Sequence, residues 1–216
     1  HLSSRRKPMN LEKLFKIQAE LDKRIVEKHG LWNEDLLDKK ILALQVELGE
    51  LANEWRGFKF WSEDQKPRTT GMCWNCVGES EGYFSGHEWT GIKEECIECG
   101  GTGIDTNENP LLEEYVDCLH FILSIGNEWS LSNMIFEDFK HRADNITKQF
   151  NYVFYTVMSI DERIVCSDYD DIEECYGYLF SGFTELGEML GFTWEQIETA
   201  YLEKNKINHE RQENGY

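Results

Sequence analysis

The chain has 216 residues, of which 40% are hydrophobic and 13% aromatic, and its formal net charge is −19. These values fit one globular domain with a small insert, and they exclude non-specific binding to DNA or RNA because an acidic surface repels a phosphate backbone. The sequence has no apolar run of about 18 residues and no signal-peptide core, so we expect no membrane span and a cytoplasmic location. The seven cysteines are an odd number, which argues against a disulfide framework.

The first predicted helix runs from Met9 to His29. Apolar residues recur at helical spacing after Asn10, a plausible N-cap, and Gly30 ends the pattern. The eight residues before Met9 are expected to be left over from an expression vector. Gln18 lies beside the apolar row, and the pattern leaves open whether it is a structural hydrogen-bonding group or a ligand.

The second predicted helix, from about Glu34 to Trp55, carries two acidic residues beside its apolar stripe. Glu47 and Glu50 lie one turn apart and point roughly the same way. Carboxylates this close repel each other, and a hard cation between them keeps both ionised. A solvated acidic flank that continues to Glu54 is the alternative. The aromatic patch FKFW at 58–61 follows. Burial of this patch in the core would explain its aromatic residues, but it would not explain Lys59.

Residues 71–103 are rich in Gly and Cys and lack helical periodicity. Cys73 and Cys76 form one CxxC pair, and Cys96 and Cys99 form another that Gly-Gly-Thr-Gly follows. Two such pairs at this separation are typical of a four-cysteine zinc ribbon, with redox dithiols or idle cysteines as the alternatives. Four thiolates leave no open position on the metal, so the expected zinc is structural.

The third predicted helix begins with Asn109 as N-cap and Pro110 in its first turn. The helix is apolar on nearly every side, which predicts burial. Glu114 and Asp117 lie one turn apart within it, and an acid in such a helix costs several kcal/mol unless it is paired or bound to a metal. A salt bridge to Lys or Arg stays open, and Glu113 is the alternative to Glu114.

One or two further helices are predicted from Ser132 to Phe154, with a break near Asn145 or Asn151. Another is predicted from Asp168 to Gly191, where three internal glycines would allow close helix packing: Gly177, Gly182 and Gly187.

The last predicted helix has a capping-box pattern in Thr193 and Gln196. Its inward stripe is apolar at first and then becomes polar and basic without changing direction, in the order Trp194, Ile197, Tyr201, Lys204, Asn208, Arg211. Either this is the solvated end of a long helix, or it is a site for an anion and a polar ring at the edge of the core.

Two acidic pairs on two helices can converge in a helical bundle, where facing carboxylates are a common way to build a metal site. Hard oxygen ligands favour Mg²⁺ or Mn²⁺, and two or three such ions would balance four carboxylates and a nucleoside triphosphate. Such sites support phosphoryl chemistry.

With these motifs the chain resembles the all-α dimeric dUTPase family, within the wider MazG-like group of all-α nucleotide pyrophosphatases. The resemblance lies in NLEKLFKIQAEL, the ExxE of Glu47 and Glu50, FKFW, the ExxD of Glu114 and Asp117, and the ending YLEKNKINHERQENGY. ExxE and ExxD mark the wider group, whereas FKFW and KxxxNxxR…GY narrow it to dUTPases. The resemblance covers Met9 to Tyr216 except the Cys-rich segment.

The resemblance implies an all-α helical bundle, formed by residues 9–70 and 104–216 with the insert at 71–103. It implies a homodimeric, Mg²⁺-dependent enzyme that hydrolyses dUTP, and also dUDP, to dUMP and pyrophosphate or phosphate. The resemblance assigns Mg²⁺ to Glu47, Glu50, Glu114 and Asp117. It assigns the uracil and sugar to Gln18, Trp61 and Asn208, and the phosphates to Lys59, Lys204, Arg211 and Tyr216. Asn205 or Lys206 would replace Asn208 or Lys204 if the register is one turn out.

Two alternatives stay open. One is a related pyrophosphatase with another pyrimidine or house-cleaning specificity. The other is a regulatory protein whose zinc ribbon binds a protein partner, although four intact acids speak against it.

Selecting uracil over cytosine requires a group that accepts from N3–H and donates to O4, as an Asn or Gln amide can.

Overall fold

The computed structural model describes residues 11–73, 96, 98–134, 136–166 and 171–215. In this part of the chain the α-helices are α1 (Leu11–His29), α2 (Leu37–Trp55), α3 (Pro110–Glu128), α4 (Ile146–Val165), α5 (Ile172–Leu190) and α6 (Trp194–Asn214). Short 3-10 turns, Leu131–Asn133 and Phe136–Phe139, lie between α3 and α4. The strands β1 (Gly71–Met72) and β2 (Ile104–Asp105) form an antiparallel pair. The predicted all-α fold class is confirmed.

The helix ends follow local capping chemistry. The Asn109 side chain accepts a hydrogen bond from the Leu112 N–H at the start of α3, and Thr193 and Gln196 form the predicted capping box of α6. Asn145 caps α4, so the predicted break lies there; α4 continues through Asn151. The predicted N-cap Asn10 lies outside the described residues.

Helix α2 begins at Leu37, later than the predicted Glu34. The carboxylate of Asp35 accepts a hydrogen bond from the Leu37 N–H at 3.0 Å. This local turn precedes the N-cap, Leu36, and it competes with helical hydrogen bonding at Asp35, so α2 does not start one turn earlier.

Helix α3 lies at the centre of the bundle, where it packs against α1, α2, α5 and α6. The apolar stripe of α2 is buried against it, which sets the rotation of α2 about its axis. Two buried tyrosines tie α3 to α5: Tyr115 donates to the carbonyl of Phe183 at 3.1 Å, and Tyr176 donates to that of Ile122 at 2.9 Å. None of the described helices is long and apolar enough to cross a membrane.

The glycines of α5 lie against aromatic side chains. A Cβ at Gly187 would lie 2.4 Å from the hydroxyl of Tyr115, and one at Gly182 would lie 2.7 Å from the ring of Tyr152. The absence of a side chain therefore lets neighbouring aromatic residues reach the α5 backbone, which explains the glycines noted in the sequence.

The strand pair β1–β2, here named the neck, joins the two ends of the insert. The Cys73 N–H donates to the Gly103 carbonyl at 3.0 Å, directly beside this pair. Arg68, just before the neck, donates from its N–H to the Glu54 carbonyl and accepts from the Leu111 N–H, both at 3.0 Å. The end of α2 and the start of α3 are thus linked through one residue.

The outer faces of α2 and α4 carry large exposed apolar side chains. Leu42 and Val46 lie on α2, and Tyr155 and Met158 lie on α4. The amide of Gln45 contacts the Met158 sulfur at 3.3 Å, so the two rows adjoin. The two rows together are here named the α2–α4 face.

Candidate active site

Helices α2 and α3 bring three of the four predicted acids together. Glu47 and Glu50 project from one side of α2, because the buried leucines of the apolar stripe set its orientation. Glu114 projects from α3, and one carboxylate oxygen from each of the three residues lies within 4.8 Å of the other two. These residues are here named the carboxylate cluster.

The electrostatics of the carboxylate cluster are those of like charges held close together. Burial, as the largest cause, and the neighbouring charges of Asp117, Glu50 and Glu47 together raise the pKa of Glu114 from 4.5 to about 8. The pKa of Glu47 is raised by burial and by Asp117 and Glu50, while a hydrogen bond with Glu114 lowers it. The cluster therefore retains a proton near neutral pH when no cation is bound.

Asp117 lies beside the cluster and pairs with a lysine of α6. Lys204 Nζ donates to Asp117 Oδ2 at 2.6 Å and to Glu113 Oε1 at 2.8 Å. The salt bridge that the sequence left open is therefore present for Asp117. The Glu113 side chain is 57% exposed and lies outside the cluster, which distinguishes it from Glu114.

The polar row of α6 passes from buried to exposed along the helix. Lys204 is buried, Asn208 is half-buried and Arg211 is exposed, with Arg211 Nη1 lying 3.5 Å from Asn208 Oδ1. Asn205, the alternative to Asn208, is buried, and its Nδ2 has no hydrogen-bond partner in the described part of the chain. Tyr216 lies outside the described residues.

Gln18 is buried between α1, α3 and α6. Its Oε1 accepts from the Tyr201 hydroxyl at 2.8 Å and contacts His120 Nδ1 at 2.7 Å, and its Nε2 donates to Asp22 Oδ1 at 2.7 Å. The His120 ring stacks on Tyr201 with a centroid distance of 4.2 Å. Gln18 is therefore a structural hydrogen-bonding group. It also contacts His120, which lies one helical turn after Asp117, so a ligand role for Gln18 stays open as well.

Sequence reasoning missed His120 as a site residue. It is buried, and its Nε2 has no partner among the described residues. Burial and the positive charge of Lys204 lower the pKa of His120 from 6.5 to about 3, so the ring is neutral. The available signal was its position three residues after Asp117 in an otherwise apolar helix, which places both side chains on one face.

Lys59 and Trp61 lie in the turn that follows α2. The Lys59 ammonium lies 5.7 Å from the centroid of the Phe58 ring, and Trp61 packs edge-on against Phe58 and Phe60. The Trp61 side chain is 66% exposed. In the structure this turn therefore lies at the surface, and its aromatic side chains are not buried in the core.

Three of the four predicted zinc ligands converge. The sulfurs of Cys73, Cys96 and Cys99 lie within 4.8 Å of one another. The Gly103 N–H donates to Cys99 Sγ at 3.2 Å, and Gly103 has φ +73°, a conformation that favours glycine. Cys76 lies outside the described residues.

A separate cavity of about 360 Å³ lies between α4 and α5, lined by residues that include Tyr155, Arg163, Cys175 and Tyr178. No predicted site residue lines it, so it is distinct from the carboxylate cluster.

The chain matches the family model described as dUTPase over residues 10–77 and 102–216. The matched ranges contain all the predicted metal-binding carboxylates and leave out most of the Cys-rich insert. No curated protein sequence matches the chain. Because the match spans most of the chain and the helices form an all-α bundle, this protein belongs to the all-α dUTPase family and is a dUTP diphosphatase.

Proposed function

We propose that this dUTP diphosphatase is Mg²⁺-dependent, with Glu47, Glu50, Glu114 and Asp117 holding two or three ions. The observation that carries the proposal is the convergence of three carboxylates from α2 and α3 within 4.8 Å. Carboxylate oxygens are ligands that Mg²⁺ prefers. The reaction products are dUMP and pyrophosphate, and dUDP is a second substrate that gives dUMP and phosphate.

The residues fit a divalent cation on electrostatic grounds. The raised pKa of Glu114, about 8, reflects burial and charge repulsion that a bound cation would relieve. Mg²⁺ bound by this set would supply a water of lowered pKa and would neutralise the charge of the phosphates.

The polar face of α6 supplies groups for the phosphates. Lys204 lies against Asp117, and Arg211 lies one turn beyond Asn208 on the same face. These cations belong to a chain whose net charge is −19, so a triphosphate would be held mainly by them and by the metal ions. Lys59 and Tyr216 are the remaining predicted phosphate contacts.

Two unpartnered buried atoms favour a pyrimidine next to the carboxylate cluster. His120 Nε2 and Asn205 Nδ2 both lack a partner in the described part of the chain, and Asn205 lies one turn after Tyr201, on which His120 stacks. An acceptor and a donor together match the N3–H and the O4 of uracil. Gln18 holds the His120 ring from the side of Nδ1. Trp61 and Asn208 are proposed to lie around the base and sugar.

The test is a panel of deoxynucleoside triphosphates, with pyrophosphate release measured in Mg²⁺ and in EDTA. We expect release from dUTP in Mg²⁺ only, and phosphate release from dUDP under the same conditions. Glu47→Gln and Asp117→Asn should each lower turnover at least about a hundredfold, because each removes a ligand charge. Glu20→Gln, an exposed residue of α1, is the matched control. Near-normal activity in both site variants would reject the assignment.

We also propose that the insert binds one structural zinc ion through Cys73, Cys76, Cys96 and Cys99. Support comes from the three clustered sulfurs and the backbone N–H that donates to Cys99. Elemental analysis of protein purified without chelator should give about one zinc per chain, and Cys96→Ser should lower that content. A zinc-free protein with reactive thiols in this segment would refute the proposal. A protein partner at the ribbon and a cytoplasmic location stay predictions.

We further propose a homodimer. Four large apolar side chains are about half exposed or more on the α2–α4 face, with Tyr155 at 69% and Leu42 at 62%. Large exposed apolar side chains grouped on two adjoining helices are typical of a protein interface.

A further inference from the structure

A chain of hydrogen bonds, buried at Gln18 and partly buried at Asp22, crosses from α1 to α3 and α6. Ser124 Oγ donates to Asp22 Oδ2 at 2.7 Å, and Gln18 Nε2 donates to Asp22 Oδ1 at 2.7 Å. At its other end Gln18 Oε1 contacts His120 Nδ1 at 2.7 Å and accepts from the Tyr201 hydroxyl at 2.8 Å. These bonds connect Asp22 to His120 through a single amide.

The chemistry of Asp22 determines the direction of the chain. Burial raises the pKa of Asp22, whereas Lys40, with its Nζ 4.0 Å from Asp22 Oδ2, and the hydrogen bonds from Ser124 and Gln18 lower it and favour the carboxylate. A carboxylate can only accept hydrogen bonds, so the NH₂ group of Gln18 faces Asp22 and its oxygen faces His120. His120 Nδ1 then carries the hydrogen. In a neutral imidazole one nitrogen donates and the other accepts, so Nε2 is left as an acceptor.

His120 Nε2 is buried and has no partner among the described residues. An acceptor at this place distinguishes the two pyrimidines, because uracil presents a donor at N3 whereas cytosine presents an acceptor. If the hydrogen were on Nε2 instead, the preference would reverse. The identity of the base that fits therefore depends on the tautomer.

We propose that Asp22 is a positioning residue for base selection: it fixes the amide of Gln18, which holds His120 in its Nδ1–H form and presents Nε2 to the N3–H of the base. This inference rests on the proposed seating of the pyrimidine beside the carboxylate cluster. Asp22 itself does not contact the substrate in this arrangement.

The first test is spectroscopic and needs no substrate. Long-range ¹H–¹⁵N spectra of the full chain with ¹⁵N-labelled histidine, recorded at about pH 8, report which ring nitrogen carries the hydrogen. His120→Gln identifies the signal. We expect the Nδ1–H pattern for His120 in the wild type, and an Nε2–H pattern there would overturn the proposal whatever Asp22→Asn does.

The second test uses Asp22→Asn, whose amide can present either an oxygen or an NH₂ group to Gln18. The His120 signal should move to a mixed or Nε2–H pattern, and the ratio of kcat/KM for dUTP to that for dCTP should fall at least about tenfold. Ser124→Ala is the control, because it removes a contact to Asp22 but keeps the carboxylate; the His120 pattern should stay.

A merely structural Asp22 gives a different result. Asp22→Asn would then lower the melting temperature and reduce both kcat/KM values in proportion, with an unchanged tautomer and an unchanged ratio; that outcome overturns the proposal. If the wild type hydrolyses no pyrimidine nucleotide in Mg²⁺, the proposed function fails, and the spectra still decide the tautomer independently.

Discussion

Glu114 binds a proton more tightly in the folded chain than in the unfolded chain. Burial, Asp117, Glu50 and Glu47 raise its pKa from 4.5 to about 8, with burial the largest cause. The folded state therefore carries the extra proton between these two values. By linkage, the free energy of unfolding of the metal-free protein decreases as pH rises through that window.

The metal-free protein should show this pH dependence in its melting temperature. In EDTA, we expect Glu114→Gln to have a flatter decline than the wild type between about pH 5 and about pH 8, because an amide cannot titrate. Mg²⁺ should offset the decline in the wild type, since it binds the ionised carboxylates. Glu20→Gln should follow the wild type. Identical profiles for Glu114→Gln and wild type would contradict the position assigned to Glu114.

Arg211 tests the role of the exposed end of α6. Arg211→Ala should cost on the order of 2–4 kcal/mol of transition-state stabilisation, measured as kcat/KM for dUTP, because it removes a cation from the phosphate site. Its side chain is exposed, so the melting temperature should change little. Arg142→Ala, which removes an exposed arginine paired with Glu185, should leave kcat/KM unchanged. A large loss of melting temperature with normal kinetics would make Arg211 a structural cap.

Among the elements, α5 depends on its glycines for close contact with α3. The Tyr115 hydroxyl binds the Phe183 carbonyl, and its ring stacks on Phe183 with a centroid distance of 4.2 Å. The hydroxyl occupies the space that a Cβ at Gly187 would need. The helices α3 and α5 can therefore pack this closely only because residue 187 is a glycine.

Gly187→Ala should therefore destabilise the protein by about 1–3 kcal/mol, because the buried Tyr115 cannot move aside freely. Gly49→Ala is the matched control: it is also helical, and nothing lies within 4 Å of the added Cβ. That substitution should stabilise by about 0.5–1 kcal/mol through helix propensity. Chemical denaturation measures both, and equal stability changes would show that the contact with Tyr115 carries no energy.

Element types and ends were predictable where the signal is local. The capping box at Thr193, the Asn109–Pro110 start of α3 and the break at Asn145 each depend on residues within one turn. The start of α2 at Leu37 has no such signal, because its N-cap, Leu36, makes no side-chain capping hydrogen bond.

The interior of the site was predictable only in part, because it depends on contacts between distant residues. The i, i+3 acids indicated the carboxylate cluster, since each pair lies on one helix. The pairing of Lys204 with Asp117 and the contact of Gln18 with His120 join residues 87 and 102 positions apart, respectively. No periodicity within one helix carries that information.

For the whole molecule, the α2–α4 face leads to a prediction about assembly. Light scattering at micromolar concentration should give twice the 25.4 kDa of one chain, because burial of this face is favourable. Val46→Glu should shift the mass toward that of a monomer, whereas Glu20→Gln should not. A wild-type mass of one chain would refute the dimer.

The neck has a consequence for how this enzyme can vary. Because the Cys73 N–H is hydrogen-bonded to the Gly103 carbonyl, the entropy of bringing these two residues together depends little on the bundle. The segment between them can therefore lengthen, shorten or be exchanged at little cost to the helices that carry the acids. The family match breaks off within this segment, at residue 77, and resumes at residue 102. The neck thus brings the chain back beside its point of departure, so the residues that carry the acids and those that carry most of the clustered cysteines lie on opposite sides of one short strand pair.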